Sequence, residues 1–174
     1  MTETLRPKDA IPGFVDRMPD VLQPNLRLAR YDRPVGFWLL ALPCWAGLAL
    51  ARVGEGFQSL DHAYANLFGL GAIAMRGAGC TYNDILDRKI DAGVARTAGR
   101  PLPSGQVTLR DAWLWVFFQV GVGFIVWLAL PPLAKGVALI AIPLVAAYPL
   151  MKRITWWPQA WLGLTFNFGI LVAA

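Results

Sequence analysis

Charge is scarce in this chain: 16% of its 174 residues are Asp, Glu, Lys or Arg, against 56% hydrophobic and a mean hydropathy of +0.47. That balance excludes an ordinary soluble domain and places the chain in a bilayer. Cysteine and histidine are nearly missing. Cys44 and Cys80 are far apart in sequence and His62 is the only histidine, which excludes a zinc site or a disulfide framework and leaves all three to packing or surface roles. The first 30 residues hold Glu3, Asp9, Asp16 and Asp20 but no long apolar core. They resemble neither a secretory signal nor an acid-poor mitochondrial transit peptide, so the bacterial inner membrane is the expected address. No tandem repeat is visible, and no acidic residue follows Asp111.

What is present is apolar length. A spanning helix needs about 20 apolar residues, and five stretches approach this: Val35 to Ala51, Leu60 to Gly79, Ala112 to Leu130, Leu133 to Leu150, and Ala160 to the end. Lipid satisfies no free backbone group, so the expected fold is an all-α, polytopic transmembrane helix bundle. The cations divide unevenly, with 14 of the 16 before the first stretch, around the loop between the second and third, or after the fourth. Only Arg52 and Lys135 fall on the other side, and the positive-inside rule predicts a cytoplasmic N-terminus. Residues 1–25 read as a polar, mobile lead-in ending in a short helix opened by Pro24, where Leu26 and Leu28 mix with Arg27 and Arg30 as in an interfacial segment. The region from 26 to 174 reads as the transmembrane domain. Pro131 and Pro132 predict a turn between antiparallel neighbours, and Trp156 and Trp157 an aromatic anchor before the last stretch. That stretch is short for a crossing, so the expectation is that the domain is incomplete at its C-terminal end.

The most informative segment is MRGAGCTYNDILDRKIDAGVARTAGRPLPSG, Met75 to Gly105. If the helix continues past Asn83, then Asp84, Asp87 and Asp91 share one stripe, bordered by Asn83 and Arg76. Carboxylates crowded on one face repel unless a cation intervenes. Magnesium takes one or two carboxylates together with phosphate oxygens, whereas a solvated helix end balanced by Arg88 and Lys89 is the plainer reading. Arg96 and Arg100 follow at once, and the other basic loop supplies Tyr148, Lys152 and Arg153. Acids for a metal beside cationic donors for oxyanions favour a diphosphate site. An allylic diphosphate ionises when its leaving group is neutralised, leaving a carbocation to be kept from water in an apolar bundle. Trp38, Trp45, Phe68, Phe117, Phe118 and Phe166 are candidates to face the prenyl tail or cation, although most aromatics on such helices face lipid or pack the core.

The run NDILDRKID resembles the first aspartate-rich motif of the UbiA superfamily of membrane aromatic prenyltransferases. RTAGRPLPSG is similar to the loop that follows in its 4-hydroxybenzoate branch. RLARYDRPVGFWLLALPCWAGLALA (Arg27 to Ala51) and YPLMKRITWWPQAWLGLTFNFG (Tyr148 to Gly169) agree in order, so the likeness covers about Leu26 to Ala174. It implies Mg2+ as cofactor, with Asn83, Asp84, Asp87 and Asp91 as its site, and catalytic roles for Asp87, Asp91, Lys152 and Arg153. Arg88, Arg100 and Tyr148 would contact substrate, Arg33 would meet the carboxylate of the aromatic acid, and Asn167 matches the family's Phe-Asn pair. An amide inside a span serves equally as helix glue or cavity contact.

The resemblance further implies eight or nine spans in two halves, each with an acidic motif, of which only the first is here; the 174 residues alone are expected to lack a complete active site. The implied reaction transfers a polyprenyl group from its diphosphate to the ring carbon ortho to the hydroxyl of 4-hydroxybenzoate, with the lipid bilayer as environment and no nucleic-acid partner. Haem O, chlorophyll and menaquinone branches share parts of the acidic motif. A CDP-alcohol phosphotransferase would need a glycine where Ala92 follows Asp91 and further acids downstream. A non-enzymatic or transporter bundle would place ionisable groups at the bilayer midplane, where these stretches have almost none.

Overall fold

A computed structural model describes residues 13–174, apart from the side chains of Pro149, Leu150, Lys152 and Arg153. The first twelve residues of the expected lead-in lie outside the described residues. The architecture is all-α: a 3-10 turn at Phe14–Arg17 precedes α1 (Gln23–Leu28), α2 (Val35–Ala51), α3 (Ser59–Ala92), α4 (Leu109–Ala129), α5 (Pro132–Ile154) and α6 (Pro158–Ala173). No strand occurs among the described residues.

The five long helices fall on the five apolar stretches, and local chemistry sets their ends. Asp61, in the first turn of α3, accepts the Gln58 backbone N–H at 2.8 Å. Thr108 and Asp111 close a reciprocal cap at α4, with Asp111 N–H donating to Thr108 Oγ1 at 3.1 Å and the hydroxyl donating to the carboxylate at 2.7 Å. Prolines open α5 and α6 at the first helical turn, where a missing N–H costs nothing. Among the described residues, α4 is the one helix long and apolar enough by length and composition to cross a membrane; α2 and the apolar part of α5, Pro132–Tyr148, are shorter. At 34 residues, α3 is long enough at roughly 51 Å, which exceeds a hydrocarbon core of about 30 Å. Its last turns carry the acids and therefore lie beyond its apolar part.

The chain divides into two compact units, residues 1–34 with 75–120, and residues 35–74 with 121–174. In the first, Leu28, Ile85, Val107, Ala112 and Val116 form a core against which Leu102, Trp113 and Trp115 pack. A Cβ on Gly77 of α3 would collide with the Gln119 side chain of α4 and meet the Tyr31 hydroxyl at 2.7 Å, so a larger residue there would require both side chains to shift. In the second unit α6 packs on α2 and α5. A Cβ on Gly47 would collide with the Ile170 carbonyl, and one on Gly169 would meet Cys44 Sγ at 2.7 Å. The Trp45 and Trp161 indole N–H groups donate to the carbonyls of Ala65 and Leu144, each at 2.9 Å. The Pro131–Pro132 turn is closed by Trp127 Nε1 donating to the Lys135 carbonyl at 3.1 Å, with the Lys135 ammonium 5.8 Å from the indole centroid.

Two expectations about the lead-in change. Residues 13–20 are not a loose tail, because Val15 is buried and Asp16 pairs with Arg27 at 2.8 Å. The short helix at Pro24 exists, but Leu28 and Arg27 face the protein and not the membrane surface. Leu28 belongs to the first unit's core, and Arg27 stays buried because Asp16 neutralises it. Among the aromatic candidates Phe68 is core, while Trp38, Phe117 and Phe118 are exposed.

Candidate functional site

Because α3 runs unbroken to Ala92, Asn83, Asp84, Asp87, Arg88 and Asp91 ride on its last three turns. Asp84 is 2% exposed and Asp91 8%, while Asn83, Asp87 and Arg88 are half-buried. Buried carboxylates require partners, and here they are guanidinium groups. Arg30 Nη2 donates to both oxygens of Asp84, at 3.1 and 3.3 Å. Arg100 Nη1 lies 2.8 Å from Asp91 Oδ2 and 3.5 Å from Asp84 Oδ1. One nitrogen therefore touches two carboxylates seven residues apart. Burial pushes the Asp84 carboxyl above its ordinary value, and the Arg30 and Arg100 charges oppose that push. Among the described residues no three His, Cys, Asp or Glu side chains gather at metal-holding distance.

Arg30 reaches Asp84 from an unusual backbone position. It ends α1 as the residue after the cap, with φ of 60°, and the two bonds of a Schellman turn are present: Tyr31 N–H to the Leu26 carbonyl and Arg30 N–H to that of Arg27, both 3.0 Å. Glycine is the usual residue there, and arginine in that conformation costs about 1 kcal/mol. Its side chain supplies the compensation, through the pair with Asp84.

Arg100 is delivered by the loop after α3. Thr97 Oγ1 donates to the Asp91 carbonyl at 2.9 Å, Arg100 N–H donates to the Thr97 carbonyl at 3.0 Å, and Ser104 Oγ donates to the Arg100 carbonyl at 2.6 Å. Gly105, at φ of 77°, then turns the chain toward α4. The RTAGRPLPSG run is thus a compact loop folded against the helix that carries the acids.

The structure brings together Asp84, Asp91 and Arg100 of the expected site and adds Arg30, which the sequence places only in an interfacial helix. Nothing in the sequence around Arg30 marks it, since the turn that aims it would be read from a glycine. Arg76 is a second addition: it borders the acidic stripe, and its Nε is buried without a hydrogen-bond partner among the described residues. Arg33 is 3.7 Å from its neighbour Asp32. Tyr148, Lys152, Arg153 and Asn167 belong to the second unit, on α5 and α6. The side-chain roles expected of Lys152 and Arg153 lie outside the described residues. Asn167 is exposed and donates to the Gly163 carbonyl of its own helix at 2.9 Å.

The UbiA prenyltransferase family profile matches residues 40–174. The chain is 48% identical over 152 residues to the mitochondrial 4-hydroxybenzoate polyprenyltransferase of Aedes aegypti, covering 87% of this chain and 34% of the relative. It is 45% identical over 162 residues to that of Rattus norvegicus, covering 92% and 42%. To 4-hydroxybenzoate geranyltransferase 1 of Lithospermum erythrorhizon it is 41% identical over 173 residues, covering 99% and 55%. The chain thus spans between about a third and just over half of the length of these relatives. No solved structure matches. With a family profile covering most of the chain and the acidic motif lying inside the matched region, the chain belongs to the UbiA prenyltransferase family.

Proposed function

We propose that this chain serves magnesium-dependent prenylation of 4-hydroxybenzoate at the ring carbon ortho to the hydroxyl, an early step of ubiquinone biosynthesis. The observation that carries the reading is the alternation of buried carboxylates and arginines at the end of α3, in a chain whose relatives are named for this aromatic acid. Asn83, Asp87 and Asp91 supply oxygen donors from one helix. An amide and two carboxylates leave coordination positions for phosphate oxygens, which is how magnesium is commonly held, so the donor set fits the ion. When bound, the metal neutralises charge on the departing diphosphate.

The chain's own residues have the remaining tasks. Arg88 and Arg100 donate to diphosphate oxygens. Asp84 holds Arg30 and Arg100 in place. The allylic carbon–oxygen bond breaks with its electron pair leaving on diphosphate; the ring carbon then bonds to the allylic carbon and loses its proton to the departed diphosphate. Apolar helices keep water from the cation. Arg33 takes the carboxylate of the aromatic acid, with Arg76, whose Nε is buried without a hydrogen-bond partner among the described residues, as a second candidate.

The test is incorporation of radiolabelled 4-hydroxybenzoate into lipid-extractable product by these residues extended with the family's C-terminal half, with a prenyl diphosphate and Mg2+. Product that requires both supports the reading, and product independent of the metal rejects it. The bacterial inner membrane with a cytoplasmic N-terminus is the proposed setting. Labelling of a cysteine placed at Ser104 from the periplasm alone would reverse that topology.

A further inference from the structure

Arg100 occupies an unusual place for a residue whose only task is to bind substrate. Its Nη1 bridges Asp91 and Asp84, its side chain is 13% exposed, and the loop that carries it is tied to the Asp91 carbonyl through Thr97. Arginine is always charged, so this contact places a permanent cation on a carboxylate expected to serve a divalent one. Asp84 has Arg30 as a partner besides Arg100, whereas Arg100 is the one guanidinium on Asp91 among the described residues.

Resting on the metal reading above, we infer that Arg100 is the exchangeable counter-ion of Asp91. It holds the carboxylate in the metal-free chain, yields it when a divalent cation arrives, and is then free to donate to the oxyanions that accompany the metal. Arg30 stays on Asp84, so Asp84 remains neutralised through the exchange. The metal and Arg100 therefore compete for one oxygen. A merely structural arginine would do the opposite and support the metal site by ordering its loop.

The experiment titrates Mn2+ alone into the purified protein in lipid nanodiscs, following free Mn2+ by electron paramagnetic resonance. Arg100→Gln should bind Mn2+ about tenfold more tightly than the original chain, because a cation close to the site is gone. Arg100→Lys keeps the charge and should stay within about threefold. Asp91→Asn should lose binding. Hydrogen exchange gives a second readout: saturating Mn2+ should speed exchange of the amides of residues 93–105 in the unsubstituted chain. Weaker or unchanged Mn2+ binding in folded Arg100→Gln, with Asp91→Asn still defective, overturns the exchange and leaves the metal site standing. Undiminished binding in Asp91→Asn, or none in any protein, overturns the metal reading and the exchange together. Should Arg100→Gln fail to melt cooperatively, the exchange rates of the unsubstituted chain decide, and slower amides on Mn2+ binding would overturn the inference.

Discussion

The two units of this chain are held together by different forces. In residues 1–34 with 75–120, side-chain charges organise the interior: Arg27 on Asp16, Arg30 on Asp84, and Arg100 on Asp84 and Asp91. In residues 35–74 with 121–174, α6 meets α2 and α5 through Gly47, Gly169 and the Trp161 indole N–H. Trp45 donates from α2 to the Ala65 carbonyl of α3, and an ion pair, Arg52 on the buried Asp61, sits between α2 and the start of α3. Burying charge is expensive and repays little in net stability, whereas close backbone approach gains dispersion contacts without desolvating an ion. We propose that the several ion pairs of the first unit are retained for chemistry and not for stability. Four changes would break or sharpen that contrast.

The largest effect is expected where charge serves chemistry. In the full-length enzyme, Asp87→Asn or Asp91→Asn should lower prenyl transfer by at least about a hundredfold while leaving the melting transition in place, whereas Arg110→Gln, outside the acidic stripe, should be mild. Equal turnover in all three would remove the functional meaning of the charged unit. Next comes Asp84→Asn, which leaves Arg30 beside a buried amide while Arg100 keeps Asp91. A loss of roughly 3 kcal/mol in unfolding free energy is expected, and a neutral result would show that Arg30 finds another partner. In the other unit Gly47→Ala places a methyl against the Ile170 carbonyl and should cost about 1–3 kcal/mol. Mn2+ affinity should not change, and a change would mean the division of labour fails. The smallest is Trp45→Phe, which removes the donor to Ala65 and should cost about 1 kcal/mol by thermal or denaturant unfolding.

Much of the site was legible because its signal is local. Asp84, Asp87 and Asp91 declare a stripe once the helix is known to continue, and nothing between Leu60 and Ala92 would stop it. Gly105 and the prolines of RPLPSG likewise announce a compact loop. Arg30 was not legible. Its pairing with Asp84 joins residues 54 positions apart, through a left-handed turn that sequence rules assign to glycine. Arg76 borders the stripe by spacing alone, but that its Nε is buried and unpaired follows from what packs around it. That Leu28 packs in the core was not legible either: alternating apolar and basic residues look the same whether lipid or a protein core covers the apolar side.

Composition and periodicity by themselves determined that the chain is all-α, where its five long helices lie, and that carboxylates and cations meet near the end of the second. These follow from hydrophobic run length, proline at helix starts and the 3.6-residue repeat, all properties of neighbours in sequence. Only the tertiary structure decided which cation each acid receives. That choice depends on side chains brought within about 3 Å by distant segments, and on burial that forces each carboxylate to find a partner at all. The sequence counts the charges, and the fold pairs Asp84 with Arg30 and sets Arg100 across Asp84 and Asp91.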